Sequence, residues 1–362
     1  MNLAVRRVTA SAPGRLCLFG EHQDFLGLPV IALAMTREIT FAGVPRGDSV
    51  LSLDLPDVAS RDEFDAREEL PYRHRRDYLR SAANVLRRAG LPMNQGYDIA
   101  VHGNIPINAG CGSSSSMVIA WLGFLIAAQD GEFPSDSATI ARLGYQTEVL
   151  EFEEPGGMMD HYTSALGGLV HIKTEGEIEC RRLPARLGGF VLGDSLEPKE
   201  TTRTLARSRQ AMAEAVAVAQ RELPHFDIHT TAVEEARTVF DRLEPRGREM
   251  LEGNLVNRDL CRAGLALLEV AEPDVREFGR LLFAHHEQLS RNIQVSTRKL
   301  DAMVEAARAA GALGAKMNGS GGGGCMFAFA PGREEAVAEA LESAGGKACL
   351  VGPHPGLQVT VE

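Results

Sequence analysis

Residues 103–129, GNIPINAGCGSSSSMVIAWLGFLIAAQ, decide how this chain folds. A turn-rich lead tightens into Gly110-Cys111-Gly112, passes through Ser113, Ser114, Ser115 and Ser116, and enters an apolar run. The pattern predicts a loop that delivers backbone N–H groups and hydroxyls to the first turn of a buried helix. Those first N–H groups have no partner inside the helix, and the aligned peptide dipoles make that end electropositive. Glycines let an anion approach the backbone closely, which suits a phosphate chain. The bland alternative is a serine-rich N-cap in front of a core helix. A Walker A loop is excluded, because no Lys-Ser or Lys-Thr follows the glycines. Nothing nearby has the G-x-S-x-G spacing of a nucleophile elbow.

Outward from this stretch, composition narrows the field. At 362 residues and 44% hydrophobic, the chain reads as globular, with length for two domains. Its formal charge of 38 − 49 = −11 argues against a nucleic-acid partner. The densest basic patch, Arg73, Arg75 and Arg76, sits beside Glu68, Glu69 and Asp77. Six cysteines lie without C-x-x-C spacing, so neither a zinc site nor a disulfide framework is expected, and a reducing cytoplasm fits. Met1 to Ser11 lacks the apolar core of a signal peptide. The run Met117 to Ala128 is too short to span a bilayer, so no membrane partner is expected.

Before the central stretch, strands are predicted at Val8 to Ala10, Leu16 to Phe19, Pro29 to Met35, Glu38 to Val44 and Tyr97 to His102, with a helix over Arg76 to Gly90. Glu21, His22 and Asp24 follow one strand inside a turn bounded by Gly20 and Gly27. Three ionisable groups in four positions at a strand end are either a solvated loop or a site. After the stretch comes a helix from Ser137 to about Glu151. Asp160 then sits between a Pro-Gly-Gly turn and small residues, where a carboxylate is either a cap or a functional group. A composition shift near Pro184 to Gly189 marks the boundary, giving domains 1–186 and 187–362. The second half opens with a strand at Phe190 to Gly193. Helices are expected there over Arg203 to Glu222, Ala232 to Glu244, Val275 to Arg291 and Thr297 to Gly311. His285 and His286 read as ordinary helix residues. Gly319 to Gly324 forms a G-x-G-x-x-G, but an apolar strand from Cys325 follows it where a Rossmann site needs a helix. What remains is a loop almost without side chains, where another surface comes very close.

Three stretches in this order, Ala12 to Gly27, Pro106 to Ser116 and Lys316 to Cys325, resemble the three motifs of the GHMP kinase superfamily. The resemblance spans nearly the whole chain. It implies an α+β fold of two domains, an N-terminal ribosomal-protein-S5-like α/β domain and a C-terminal ferredoxin-like domain, with ATP between them. Ala12-Pro-Gly-Arg15, Gly20-Glu-His22, Asp24 and Gly157-Met-Met-Asp160 are most similar to galactokinases. Cys17, Gln23 and Phe25 stand where galactokinases usually carry Asn, Thr and Tyr, and Val295 to Phe327 is closer to mevalonate kinases. By this resemblance Asp160 and Arg15 are catalytic. Ser114 and Glu148 hold Mg²⁺, and Glu21, His22, Asp24 and Gly157 contact a monosaccharide. Gly110, Gly112 and Ser113 to Ser116 bind the ATP phosphates, with Gly319, Ser320, Gly321, Gly322 and Gly323 closing over them. The implied activity is transfer of the γ-phosphoryl group of ATP to a sugar hydroxyl. A mevalonate-type kinase, or a non-catalytic sensor of sugar and ATP, are the alternatives.

Overall fold

The structure, a computed structural model, describes residues 6–130, 132–154, 156–176, 178–198 and 201–362; for residues 201–207 only the backbone is described. In chain order the first half carries β1 (Val8–Phe19), β2 (Val30–Pro45), β3 (Val50–Leu55), β4 (Ser60–Asp65), α1 (Tyr78–Arg88), β5 (Tyr97–Gly103) and α2 (Ser113–Ala128). It continues with α3 (Ser137–Tyr145), which widens into a π turn at Gln146–Leu150, then α4 (Met159–Leu166), β6 (Leu169–Lys173) and β7 (Glu179–Arg182). The second half carries β8 (Phe190–Asp194), α5 (Thr201–Glu222), α6 (Val233–Ala236), α7 (Pro245–Leu268), α8 (Val275–Glu287), α9 (Arg298–Ala309) and β9 (Gly314–Met317). It ends with β10 (Cys325–Phe329), α10 (Glu334–Ser343), β11 (Lys347–Val351) and β12 (Gln358–Val361).

The first sheet runs β12-β1-β2-β5-β3-β4, with β6 also on β2 and β7 beside β6. Pairing is antiparallel except between β3 and β5. Helix α2 is apolar on every face, so it can be stable only when covered all round. It packs on β1 and β2 and among α1, α3 and α4. Trp121 is fully buried there, stacked on Phe41 at 5.0 Å, with its indole N–H donating to the Leu79 carbonyl at 3.0 Å. The second sheet is antiparallel, β11-β8-β10-β9. Along β10, side chains alternate between faces. Phe327 and Phe329 join Leu16 and Phe19 of β1 and Phe278 of α8 in an apolar core between the domains. Met326 and Ala328 face a separate core with α9 and α10.

Several features differ from the sequence reading. The helix expected over Ala232 to Glu244 is α-helical only at Val233–Ala236 and tightens into a 3-10 turn over Arg237–Arg242, and the strands expected at Val8 to Ala10 and Leu16 to Phe19 are one strand, β1. The strands expected at Pro29 to Met35 and Glu38 to Val44 are one strand, β2, interrupted by a bulge. Pro13 pairs with Glu38 but Arg15 with Ala34, so residues 35–37 bulge opposite Gly14. Helix α7 is the longest in the fold among the described residues, yet its pattern conceals it. Gly247, Gly253 and Gly264 and the buried Asn254, Asn257 and Arg258 break the apolar stripe. The boundary at 186/187 falls between the sheets, but residues 358–361 return to the first domain as β12.

Candidate active site

Helix α2 opens at Ser113 after Gly112, whose φ of 73° favours glycine, and no side chain caps it. The serines therefore do not form an N-cap. Ser113, Ser114 and Ser115, with Gly110 and Gly112, line a cavity of ≈ 370 Å³ at the helix N-terminus. Ser116 faces away from it. Its hydroxyl lies 2.7 Å from the Pro13 carbonyl and 2.8 Å from that of Gly112, fastening the loop to β1.

Asp160 and Arg15 meet at the cavity floor. Arg15 Nε and Nη2 donate to Asp160 Oδ1 and Oδ2 at 2.7 and 3.1 Å, and Nη1 donates to the Gly110 carbonyl. Burial works against the Arg15 charge, but the Asp160 and Glu21 carboxylates outweigh it and hold the guanidinium more firmly protonated than usual. Asp160 stands in the first turn of α4, where the residue before the helix is Met158 and no side chain caps it. The carboxylate is given to Arg15 instead.

Two residues of the third motif, not singled out from sequence, hold this floor together. Asn318 is fully buried. Its carbonyl oxygen accepts the Cys17 N–H at 2.8 Å, and its amide donates to the carbonyls of Gly110 at 2.9 Å and Arg15 at 3.2 Å. One side chain thus joins β1, the serine loop and the glycine segment. Lys316 Nζ donates to Glu21 Oε2 at 2.6 Å and to the Cys17 and Met317 carbonyls at 2.8 Å each. Glu21 Oε1 accepts the Gly319 N–H at 2.8 Å. Glu21, expected at the substrate, is engaged through both oxygens by the second domain. The signal was present, since a lysine inside an otherwise apolar strand demands a buried counter-charge.

Glu148 lies on the π turn, a distortion that often re-aims a functional side chain. Its Oε2 accepts from the Ser115 hydroxyl at 2.7 Å and from His161 Nε2 at 2.8 Å. Burial alone would push its carboxyl up, but His161 and the Ser114 and Ser115 hydroxyls hold it below the usual range. Glu148 is therefore anionic, beside two serine hydroxyls, an oxygen set of the kind hard cations take. His161 is an addition to the sequence-derived set, and Ser115, expected at the phosphates, is also a partner of Glu148. Among the described residues no group of three or more His, Cys, Asp or Glu side chains is arranged to hold a metal ion.

At the other end of the cavity, Asp24 Oδ1 accepts the Phe25 N–H at 2.9 Å. Its Oδ2 lies so close to Gly157 that a Cβ there would sit 1.7 Å away. Only glycine at 157 leaves this carboxylate its place. Burial first, and then the charge of Asp160, push the Asp24 carboxyl up to about 6. His22, held at φ 62°, brings Nε2 to 3.0 Å from the Ser320 carbonyl, so that nitrogen is the donor.

The glycine segment divides. Gly319 and Ser320 line the cavity, and a Cβ on Gly319 would lie 2.6 Å from Gly110 Cα, so the third motif does close on the serine loop. Gly321, Gly322 and Gly323 turn away. The Gly322 N–H donates to the Val295 carbonyl at 2.7 Å, and a Cβ on Gly323 would meet the Glu197 carbonyl at 2.8 Å. Their lack of side chains serves packing within the second domain. The basic patch is also spent internally, with Arg76 on Glu154 at 2.7 Å, Arg75 on Glu154 at 3.3 Å and Arg73 on Asp62 at 3.1 Å.

Family models match the chain in three places: the GHMP kinases N-terminal domain over residues 77–168, the GHMP kinases C-terminal domain over 266–347, and the galactokinase galactose-binding signature over 4–45. A mevalonate kinase from Thermococcus onnurineus is 30% identical over 94% of each chain. A galactokinase from Exiguobacterium sibiricum is 29% identical over 93% of this chain and 87% of its own. In three dimensions a Lactococcus lactis galactokinase, solved with galactose, superposes with a TM-score of 0.81 at 22% identity, covering 97% of this chain and 95% of that one. The Methanococcus jannaschii mevalonate kinase gives 0.72 at 20% identity, covering 96% and 98%. With the loop, the helix N-terminus and the paired Arg15 and Asp160 in place, the chain belongs to the GHMP kinases, phosphotransferases that use ATP to phosphorylate a small molecule.

Proposed function

We propose that this chain transfers the γ-phosphoryl group of ATP, with Mg²⁺, to a hydroxyl of a neutral monosaccharide. The observation that carries this reading is the charge balance of the cavity. Its two lining arginines are already given to carboxylates, Arg15 to Asp160 and Arg76 to Glu154. Glu21 and Asp160 line it as well, already paired with Lys316 and Arg15, whereas Asp24 and Glu148 line it with no lysine or arginine partner among the described residues. Mevalonate carries a carboxylate that would face this acidic wall with both lining arginines engaged. A sugar instead offers hydroxyls that Asp24 can accept and that a histidine beside it can position. The galactose-binding signature over residues 4–45 supports the same reading.

Phosphoryl transfer passes through a loose transition state, so catalysis is mostly positioning and charge neutralisation. N–H groups of the Gly110 to Ser115 turn hold the phosphates at the positive end of α2. The Glu148 carboxylate and the Ser114 hydroxyl would hold Mg²⁺, which would supply further charge neutralisation. Asp160 accepts or orients the acceptor hydroxyl, and such general-base help is worth ~10²–10⁴-fold. Arg15 fixes Asp160 to the loop that carries the phosphates. Four of the six cysteines are buried, which fits a reducing compartment, the cytoplasm.

A second reading, phosphorylation of mevalonate, is favoured by the 30% identity to mevalonate kinases. An ADP-release screen over neutral hexoses and pentoses, uronic acids and mevalonate separates the two. Turnover of a neutral sugar with none of mevalonate is expected; efficient mevalonate turnover would overturn the proposal.

A further inference from the structure

A second cavity lies between the two sheets, behind the root of the serine loop. It encloses ≈ 260 Å³ between Arg37, Asn104 and Ile105 of the first domain and Leu192, Asp194 and Lys347 of the second. The bulge in β2 places Arg37 there. Residues 35–37 leave the ladder with β1 and dock on the segment after β11, where Met35 bridges to Pro353 and the Thr36 N–H donates to the Gly352 carbonyl at 2.9 Å. Bulges re-aim side chains in this way. On the opposite wall, Lys347 faces Asp194 across the β8–β11 ladder, with Cys349 facing Leu192.

The polar groups here are unevenly matched. Arg37 Nε is buried with no hydrogen-bond partner, and neither Arg37 nor Lys347 forms an ion pair among the described residues. Leaving a buried donor unmet is costly. Asn104 uses its carbonyl oxygen to accept the Glu38 N–H at 2.8 Å, which leaves its amide N–H groups as donors. Asp194 is the single acidic side chain of the cavity, and its Oδ1 accepts the Leu196 N–H at 2.8 Å. A guanidinium, an ammonium and an amide around one small space match a dianion with three acceptor oxygens.

We propose that this cleft is a second ligand site that takes a small phosphate monoester carrying a free hydroxyl. The phosphate sits on Arg37, Lys347 and Asn104, and the hydroxyl donates to Asp194. The volume is just below the range of drug-sized pockets, right for a small metabolite. Ile105 lies five residues before Gly110, so a ligand here bears on the serine loop from behind. Any effect on ATP affinity must be returned in equal measure on the ester.

Calorimetric titration of glycerol 3-phosphate, with inorganic phosphate as the second probe, tests this on the full chain saturated with Mg²⁺ and a non-hydrolysable ATP analogue. Glycerol phosphate is expected to bind saturably and more tightly than phosphate. Arg37→Gln and Lys347→Gln should each weaken it about tenfold or more, the scale of a lost charged hydrogen bond, while Asp160→Asn leaves it unchanged. Lys347 is exposed, so its variant carries no folding penalty that confuses the result. No saturable binding, or unchanged affinity in either variant, overturns the site and leaves Lys347 as a cross-strand neighbour of Asp194. The readout is binding alone, so it stands or falls separately from the acceptor substrate.

Discussion

Replacing Lys316 by methionine tests whether the domains are locked at the active site by one buried ion pair. Lys316 and Glu21 side chains are 0% and 2% exposed, and the ammonium makes three hydrogen bonds of 2.6–2.8 Å. Methionine fills most of the volume but, among the described residues, leaves the Glu21 carboxylate with the Gly319 N–H as its remaining hydrogen bond. Breaking a buried pair from one side costs about 3–5 kcal/mol, because the other charge stays behind. With an unfolding entropy of about 2.1 cal/mol/K per residue over 362 residues, or about 0.8 kcal/mol/K, that is a fall in Tm of about 4–6 °C. The double variant Lys316→Met/Glu21→Gln should recover at least half of this, since no charge is stranded. Circular-dichroism melts of the four proteins in one buffer measure the cycle, and kcat/KM should fall with Tm in the single variant. A melting shift below 1 °C, or losses that simply add, would refute the reasoning and return Glu21 to the substrate.

Asp160→Asn should lower kcat by about two orders of magnitude or more while ATP binding, read by fluorescence or calorimetry, hardly changes; near-normal turnover would reduce Asp160 to a partner of Arg15. Glu148→Gln and Ser114→Ala should each raise the Mg²⁺ concentration for half-maximal rate, and Ser115→Ala should do so less, since its hydroxyl steadies Glu148. For Asp24, raised from 3.8 to about 6, the folded chain binds more protons than the unfolded one across that window. Its contribution to stability is therefore lost as pH rises from about 4 through 6. The ionised form accepts the sugar, so kcat/KM should fall as pH drops through about 6, and Asp24→Asn should be slower but flat there. An acid limb centred near 4 in the parent enzyme would contradict this.

What could be read from sequence was local. Gly110 to Ser116 and the apolar run after them announce a loop and a buried helix because φ preference and periodicity act over a few residues. Local sequence leaves Asp160 open between cap and functional group; the carboxylate is taken by Arg15, 145 positions away, and not by the N-terminus of α4. The resemblance implies that Glu21 contacts substrate, while its counter-charge, Lys316, lies 295 residues downstream, beyond the reach of local pattern. Asn318 escapes local pattern for the same reason, its side-chain partners being on β1 and the serine loop. The glycine segment proclaimed close approach without saying to what. Gly319 meets Gly110, whereas Gly321 to Gly323 meet Val295 and Glu197. Polar Thr36 and Arg37 made β2 look like two strands, because a bulge and a break present the same interruption in the alternation.

The returning strand β12 has a bearing on how the chain is made. Val8 pairs with Val361, 353 positions later, and Arg7 and Glu362 exchange two further backbone bonds of 2.9 Å. During synthesis, the first sheet must wait with β1 as a bare edge until almost everything downstream has been translated, at about 5–20 residues per second. Throughout that interval its open N–H and C=O groups can template another chain. Cutting at the 186/187 boundary would make that exposure permanent. A fragment prepared that way should self-associate, and supplying residues 352–362 as a separate peptide should quiet it.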